Sequence, residues 1–301
     1  MDLKVNDVFV EDTFCETFTV RIVRAFITSV NRKWALEAAL ETKGLGRSAT
    51  IPPCEASIEV EAKPEETPDH RPGFIVQFVD RKADVLRECS ILRIRKGVIP
   101  YPKTSVFDAL PKEAVTDYLD IKGSMIQTFG DGFEEETRVF GRDVYQIPRM
   151  DGYFYVERKF GIAKGVTGGM FLIFARTDDA ALEAAEKALD AVRAVPFVLG
   201  KFASSGTKVG GKNYKDAVAT TNDAYCPSLA SSEGSKIPEG VKCVYEVIVT
   251  SLNIDGLNAA MKVGIEQATT VKGVKMITSS NYGGTLGKGK IFLKDLFKLE
   301  T

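Results

Sequence analysis

The feature that most constrains the fold is a strand–helix–strand pattern that occurs four times, twice before the middle of the chain and twice after it. Apolar alternation on a period of two marks strands; apolar spacing of three and four marks one face of a helix. In the first group Phe18–Ser29 reads as a strand. Asn31 caps a helix to about Thr42 that Gly44 and Gly46 end, and a strand is expected from Arg47 to Pro52-Pro53, with more extended chain to Val60. In the second group the strand is Gly73–Val79. Asp80 is the expected helix cap, Val85, Leu86, Cys89 and Leu92 share a face, and Gly97–Tyr101 returns as a strand. In the third group Gly169–Ala175 leads to a helix capped by Asp178, with Leu182, Ala185, Leu189 and Val192 on one face, and then to a short strand Pro196–Leu199. In the fourth group the strand Cys243–Ser251 precedes the clearest helix, in which Leu257, Ala260, Met261, Gly264, Ile265 and Ala268 form one stripe; Gly273 ends the turn and Val274–Ser279 returns.

Two such units joined make βαββαβ. The expected fold is therefore α+β, two ferredoxin-like lobes related by duplication, divided as residues 1–145 and 146–301; a single open α/β sheet is the alternative. Lys112–Phe160 does not follow the pattern and reads as a central insertion that links the lobes or grips a partner subunit. Within it a hairpin is expected about Met150-Asp151-Gly152.

Composition removes several function classes. Lys and Arg total 40 against 41 Asp and Glu, a net charge of −1, which gives no electrostatic footprint for nucleic acid. The single histidine, His70, lies in the turn-rich stretch Lys63–Gly73, so a catalytic triad or a multi-histidine metal site has little to work with. The five cysteines, 15, 54, 89, 226 and 243, form no CxxC pair and read as free thiols in a reducing compartment. No apolar run approaches a membrane span, and a cytoplasmic protein without a bound metal is expected. Gly44–Ala49 fits GxGxxA but follows a helix, the reverse of a dinucleotide-binding turn, and no P-loop is present. The Glu134–Glu136 run reads as a solvated face.

Two places concentrate chemistry. Glu246 lies in Cys243-Val244-Tyr245-Glu246-Val247-Ile248-Val249, a strand apolar on both faces. A carboxyl there is costly unless paired or neutral, and desolvation would make it a proton donor near neutral pH; the alternative is an exposed or interface carboxylate with a basic partner. The loop Thr220–Pro227 gathers polar groups, a ring and a thiol, which suits either a site or a plain turn. Gly165–Gly169, Gly206–Lys212 and Asn281–Gly287 are glycine-rich, and they suit either close backbone approach to a ligand or tight turns.

Glu11-Asp12-Thr13-Phe14, Pro64–Asp69, Phe129-Gly130-Asp131-Gly132-Phe133, Thr221–Pro227, Pro238–Glu246 and Asn281-Tyr282-Gly283-Gly284 span the whole chain. Together these segments resemble one family, the formylmethanofuran–tetrahydromethanopterin formyltransferases of methanogenic and sulfate-reducing archaea and methylotrophic bacteria. The resemblance implies two related α/β lobes, homo-oligomers (dimers or tetramers) and an active site near a subunit contact. In methylotrophic bacteria it also implies a larger complex. The implied reaction moves a formyl group reversibly from methanofuran nitrogen to N5 of the reduced pterin, with no prosthetic group and with both coenzymes as substrates. The balanced charge departs from the salt-adapted members. On this reading Glu246 handles the proton, and Asn222, Tyr225 and Cys226 complete the catalytic set. Asp223, Gly168, Gly169, Lys208, Lys212, Tyr282 and Gly283 are the expected coenzyme contacts.

Overall fold

The computed structural model describes residues 3–44, 54–204 and 224–298. Its strands and helices in chain order are β1 (Leu3–Val5), β2 (Val8–Val10), β3 (Phe14–Thr28), α1 (Arg32–Lys43), β4 (Glu55–Ala62), β5 (Gly73–Asp80), α2 (Ala83–Gly97) and β6 (Ser105–Asp108). Then come β7 (Val115–Asp120), β8 (Glu135–Val139), β9 (Arg142–Arg149), β10 (Gly152–Glu157) and β11 (Lys159–Ala175). The chain closes with α3 (Asp178–Arg193), β12 (Val198–Ser204), β13 (Cys243–Ser251), α4 (Ile254–Ala268), β14 (Val274–Thr278) and β15 (Gly289–Phe292).

Contacts divide the chain into two compact units, Val20–Gly165 and Met1–Thr19 with Val166–Thr301. This differs from a cut at 145/146. The first residues belong with the C-terminal half because β2 pairs in parallel with β14, and β15 pairs with the start of β3.

In the unit built from the middle of the chain, the sheet runs β4-β5-β3-β6, each neighbour antiparallel. β10 adds to β6 in parallel, and the expected hairpin is present as β9–β10 with Gly152 opposite Arg149. Asn31 caps α1 by accepting the Trp34 N–H. Two expectations change here. Asp80 ends β5 instead of capping a helix: its carboxylate accepts the N–H of Cys54 and of Lys82, and α2 starts at Ala83. Gly97–Tyr101 is not a strand, because α2 runs on to Gly97 and the Val98 N–H still bonds Ile94; the return strand is β6. Leu92 is consequently exposed, while Leu86, Cys89 and Ile94 are buried. The strand expected at 47–53 lies outside the described residues, and β4 follows it. His70 is exposed in its turn.

In the other unit the order is β12-β13-β11-β14, again all antiparallel, extended by β2 and β1. α3 and α4 pack on one face over Phe171, Ile173, Val247 and Val249. α4 buries all six residues of its predicted stripe, and Asn253 caps it through the Gly256 N–H. Burial of Leu257, Met261 and Ile265 stabilises this face by about 1.5–3 kcal/mol each. α3 is capped by Thr177, one residue before the expected Asp178, and its buried stripe is alanine-rich, with Leu182 exposed. Among the described residues no helix is long and apolar enough to cross a membrane.

Candidate active site

The candidate residues Glu246 and Tyr225 lie on the face of this unit's strands opposite α3 and α4. Side chains alternate along a strand, so the residues between the helix-facing ones point the other way. On β13 these are Val244, Glu246 and Ile248; on β11, Leu172 and Phe174; on β14, Met276 and Thr278. Register places Glu246 opposite Leu172 on one side and Ser204 on the other, and Leu172 opposite Thr278. Ser204, Glu246, Leu172 and Thr278 thus form a row across four strands. Glu11 continues it, because β2 runs beside β14 and the Glu11 N–H bonds the Ile277 carbonyl.

Glu246 is half-buried in this row. Burial pushes its carboxyl above the ordinary value; a hydrogen bond with Ser204 and the charge of Lys201 oppose the shift without cancelling it. The protonated form is thereby favoured over a wider pH range, which is what a proton donor needs.

Tyr225 reaches the same face. Its ring meets Phe174 edge-on at 5.3 Å, within an apolar cluster that includes Leu172, Val241 and Met276. Its hydroxyl donates to Glu11 Oε2 at 3.3 Å, and the Thr278 hydroxyl donates to the same oxygen. Burial and the nearby Glu11 charge push the Tyr225 phenol up, so it remains a neutral donor. Among the described residues no group of three or more His, Cys, Asp or Glu side chains is placed to hold a metal ion.

Residues 3–149 match the family described as formylmethanofuran-tetrahydromethanopterin formyltransferase, and residues 152–296 match its proximal lobe. Relatives bearing that family's name in Methanocaldococcus jannaschii and Methanopyrus kandleri are each 44% identical, over 98% of this chain and 100% of theirs. The solved formylmethanofuran:tetrahydromethanopterin formyltransferase of Methanosarcina barkeri superposes with a TM-score of 0.85 at 39% identity, over 98% of this chain and all of that one. A chain of the formyltransferase/hydrolase complex of Methylorubrum extorquens, solved with methylofuran, superposes with a TM-score of 0.88 at 31% identity, over 99% of both chains. The chain belongs to the formylmethanofuran–tetrahydromethanopterin formyltransferase family. It is an acyl-transferring enzyme.

Within this formyltransferase the structure brings Glu246 and Tyr225 to one sheet face and accounts differently for other candidates. Cys226 is half-buried beside Tyr225, with its carbonyl taken by the Leu229 N–H. Asn222, Asp223, Lys208 and Lys212 lie outside the described residues. Gly168 and Gly169 have packing reasons for being glycine. Gly168 has φ +92°, and a Cβ there would come within 2.4 Å of the Glu16 carbonyl oxygen. A Cβ on Gly169 would strike Leu257 at 2.7 Å, so this residue faces α4, away from Glu246. Tyr282 and Gly283 form a turn in which the Gly283 N–H donates to Asn281 Oδ1, and Asn281 Nδ2 holds the Phe14 carbonyl. Sequence reasoning missed Glu11 and Thr278. The available signal was the polar Glu11-Asp12-Thr13 run directly after the apolar strand Val8–Val10.

Proposed function

We propose that this formyltransferase carries the formyl group from the nitrogen of formylmethanofuran to N5 of tetrahydromethanopterin, or a close analogue, by direct transfer, with Glu246 as the proton donor. The observation that carries the reading is a carboxyl in a largely apolar strand, half-buried and raised in pKa, in a chain of this family. A formamide is a poor electrophile and an unprotonated amine a poor leaving group. Transfer therefore needs the acceptor nitrogen held near the formyl carbon, donors for the oxyanion and a proton for the departing amine.

N5 attacks the formyl carbon, and the carbonyl electron pair moves to oxygen. The tetrahedral centre collapses as the carbon–nitrogen bond to methanofuran breaks and that nitrogen takes the proton from Glu246. The proton lost by N5 returns the carboxyl to its starting state. Donors for the oxyanion are assigned to the 222–226 segment, its backbone N–H groups included, with Asn222 and Cys226 counted in the catalytic set. Tyr225 walls the furan or pterin ring. Asp223, Lys208, Lys212, Tyr282 and Gly283 are assigned to the coenzymes, whose tails are anionic. Gly168 and Gly169 are left out of the ligand shell on the packing grounds above. The coenzymes come and go as substrates, with no prosthetic group.

We read the two units as ferredoxin-like lobes related by duplication. Their common antiparallel order, second-third-first-fourth strand in chain order, supports this. We also assign the protein to the cytoplasm as a homo-oligomer, dimer or tetramer, so that a second subunit closes the site against water. The Methylorubrum likeness favours one second reading, a subunit of a larger formyl-handling, hydrolysing complex.

The deciding experiment mixes purified chain with formylmethanofuran and the reduced pterin. Formylated pterin made by wild type, with turnover cut about 10²–10⁴-fold in Glu246→Gln at largely retained binding, supports the reading. Near-normal turnover of the variant removes Glu246 from the mechanism. Formate released without pterin supports the hydrolytic reading instead.

A further inference from the structure

We propose that Glu11 is the positioning residue for Tyr225, acting as the shared acceptor of a hydroxyl–carboxylate–hydroxyl clamp completed by Thr278. This rests on the reading of Tyr225 as a wall for a coenzyme ring.

Three segments distant in sequence meet at one oxygen. Tyr225 Oη donates to Glu11 Oε2 at 3.3 Å from 214 residues away, and Thr278 Oγ1 donates to the same atom from 267 residues away. Thr278 is fully buried, so its hydroxyl has no water to turn to and needs the carboxylate. Hydrogen bonds to an ionised acceptor are roughly twice as strong as neutral ones. Strand β14 therefore fixes Thr278, Thr278 fixes the Glu11 carboxylate, and the carboxylate fixes the tyrosine hydroxyl.

The remaining restraints on Tyr225 leave its far end to this clamp. Phe174 meets the ring edge-on, Lys236 Nζ sits 6.0 Å from its centroid, and the Lys236 N–H holds the Ala224 carbonyl at 2.7 Å. These hold the ring's plane and root. At the tip its hydroxyl meets Glu11 and also shares a hydrogen bond with Thr278, so the two other members of the clamp set where it points along the row that contains Glu246. A phenol committed to Glu11, with its proton held on by burial and by that negative charge, is a fixed surface and not the acid of the reaction.

The test is a double-mutant cycle on formyl transfer with both coenzymes. Glu11→Leu and Tyr225→Phe should each raise KM for the same coenzyme by roughly tenfold with kcat within about threefold. The double variant should be no worse than Tyr225→Phe alone, since the phenol hydroxyl is the end that the clamp contacts share. Glu11→Gln, which keeps an acceptor oxygen, should recover most of the affinity. Effects that multiply in the double variant, or an unchanged KM in Glu11→Leu, overturn the clamp. If Glu11→Leu does not fold, the cycle is run with Thr278→Val against Tyr225→Phe under the same criteria. Wild-type chain that makes no formylated pterin overturns the underlying functional reading, a result separable from failure of the clamp.

Discussion

The two units use one strand order to surround a carboxyl group in opposite ways. In the unit Val20–Gly165, Gln77 on β5 lies opposite Arg24 and Ser57. In the other, Glu246 on β13 lies opposite Leu172 and Ser204. The positions correspond strand for strand, serine included. Around Gln77 the charge is closed off. Arg24 grips Glu59 through two hydrogen bonds of 2.7 and 2.8 Å, Gln77 donates to the same carboxylate at 2.8 Å, and all three residues are buried. Around Glu246 the place of the arginine is taken by leucine, and the carboxyl has a serine hydroxyl and the field of Lys201. A guanidinium offers a carboxyl a charged two-point hydrogen-bond partner; an apolar side chain in its place offers neither charge nor donor, and burial then raises the Glu246 pKa. The contrast teaches how one strand order can hold a buried ion pair in one unit and a carboxyl with no facing arginine in the other.

The comparison can be broken most forcefully in the unit that holds Glu246, where Glu246→Gln should cost two or more orders of magnitude in turnover, about 3 kcal/mol or more in the barrier. Glu59→Gln addresses the unit Val20–Gly165. It leaves Arg24 buried with a neutral partner and should lower unfolding stability by about 3 kcal/mol, measured by denaturant titration, without a matching loss of turnover below the melting temperature. A catalytic loss as deep as that of Glu246→Gln would put the active proton in the wrong unit. Gln77→Glu sharpens the contrast by giving the unit Val20–Gly165 the residue that the other unit carries at the matching strand position. The new carboxyl would sit against Glu59 and destabilise the fold by about 1–3 kcal/mol, measured by denaturant titration.

The smallest effect concerns stability and pH. Because the folded Glu246 pKa is raised, the folded chain binds the proton more tightly than the unfolded one. Below the ordinary carboxylate range both states are protonated and Glu246 contributes no difference. As pH rises through that range toward the folded value, the unfolded state ionises first and stability falls. Glu246→Gln should lack this fall. Its melting temperature should exceed wild type at neutral pH and converge with it in acid.

Much of the fold was readable because its signals are local. α4 announces itself by a continuous apolar stripe between Asn253 and Gly273, and β13 was placed from Cys243 to Ser251. Misreadings arose where one residue type serves two purposes. Asp80 looks like a cap but is spent on the N–H groups of Cys54 and Lys82. Val98-Ile99 looks like a strand but closes the end of α2, where both N–H groups bond the Ile94 carbonyl. Glu246 stood out in the sequence because a carboxyl in an apolar strand needs a reason. Glu11 did not, since its partners lie more than two hundred residues away and only strand pairing brings them together. The same limit applies to Gly168 and Gly169, whose composition suits a ligand loop but whose neighbours are β3 backbone and α4 side chains.

The most direct test of the account is an isotope-edited infrared titration of the Glu246 carboxyl, with Glu246→Gln as the subtraction reference. The account predicts that the protonated carboxyl band persists to a pH clearly above the ordinary glutamate value of about 4.3 and lacks the signature of an ion pair. A carboxyl that ionises at or below that value would contradict it and remove Glu246 as a proton donor.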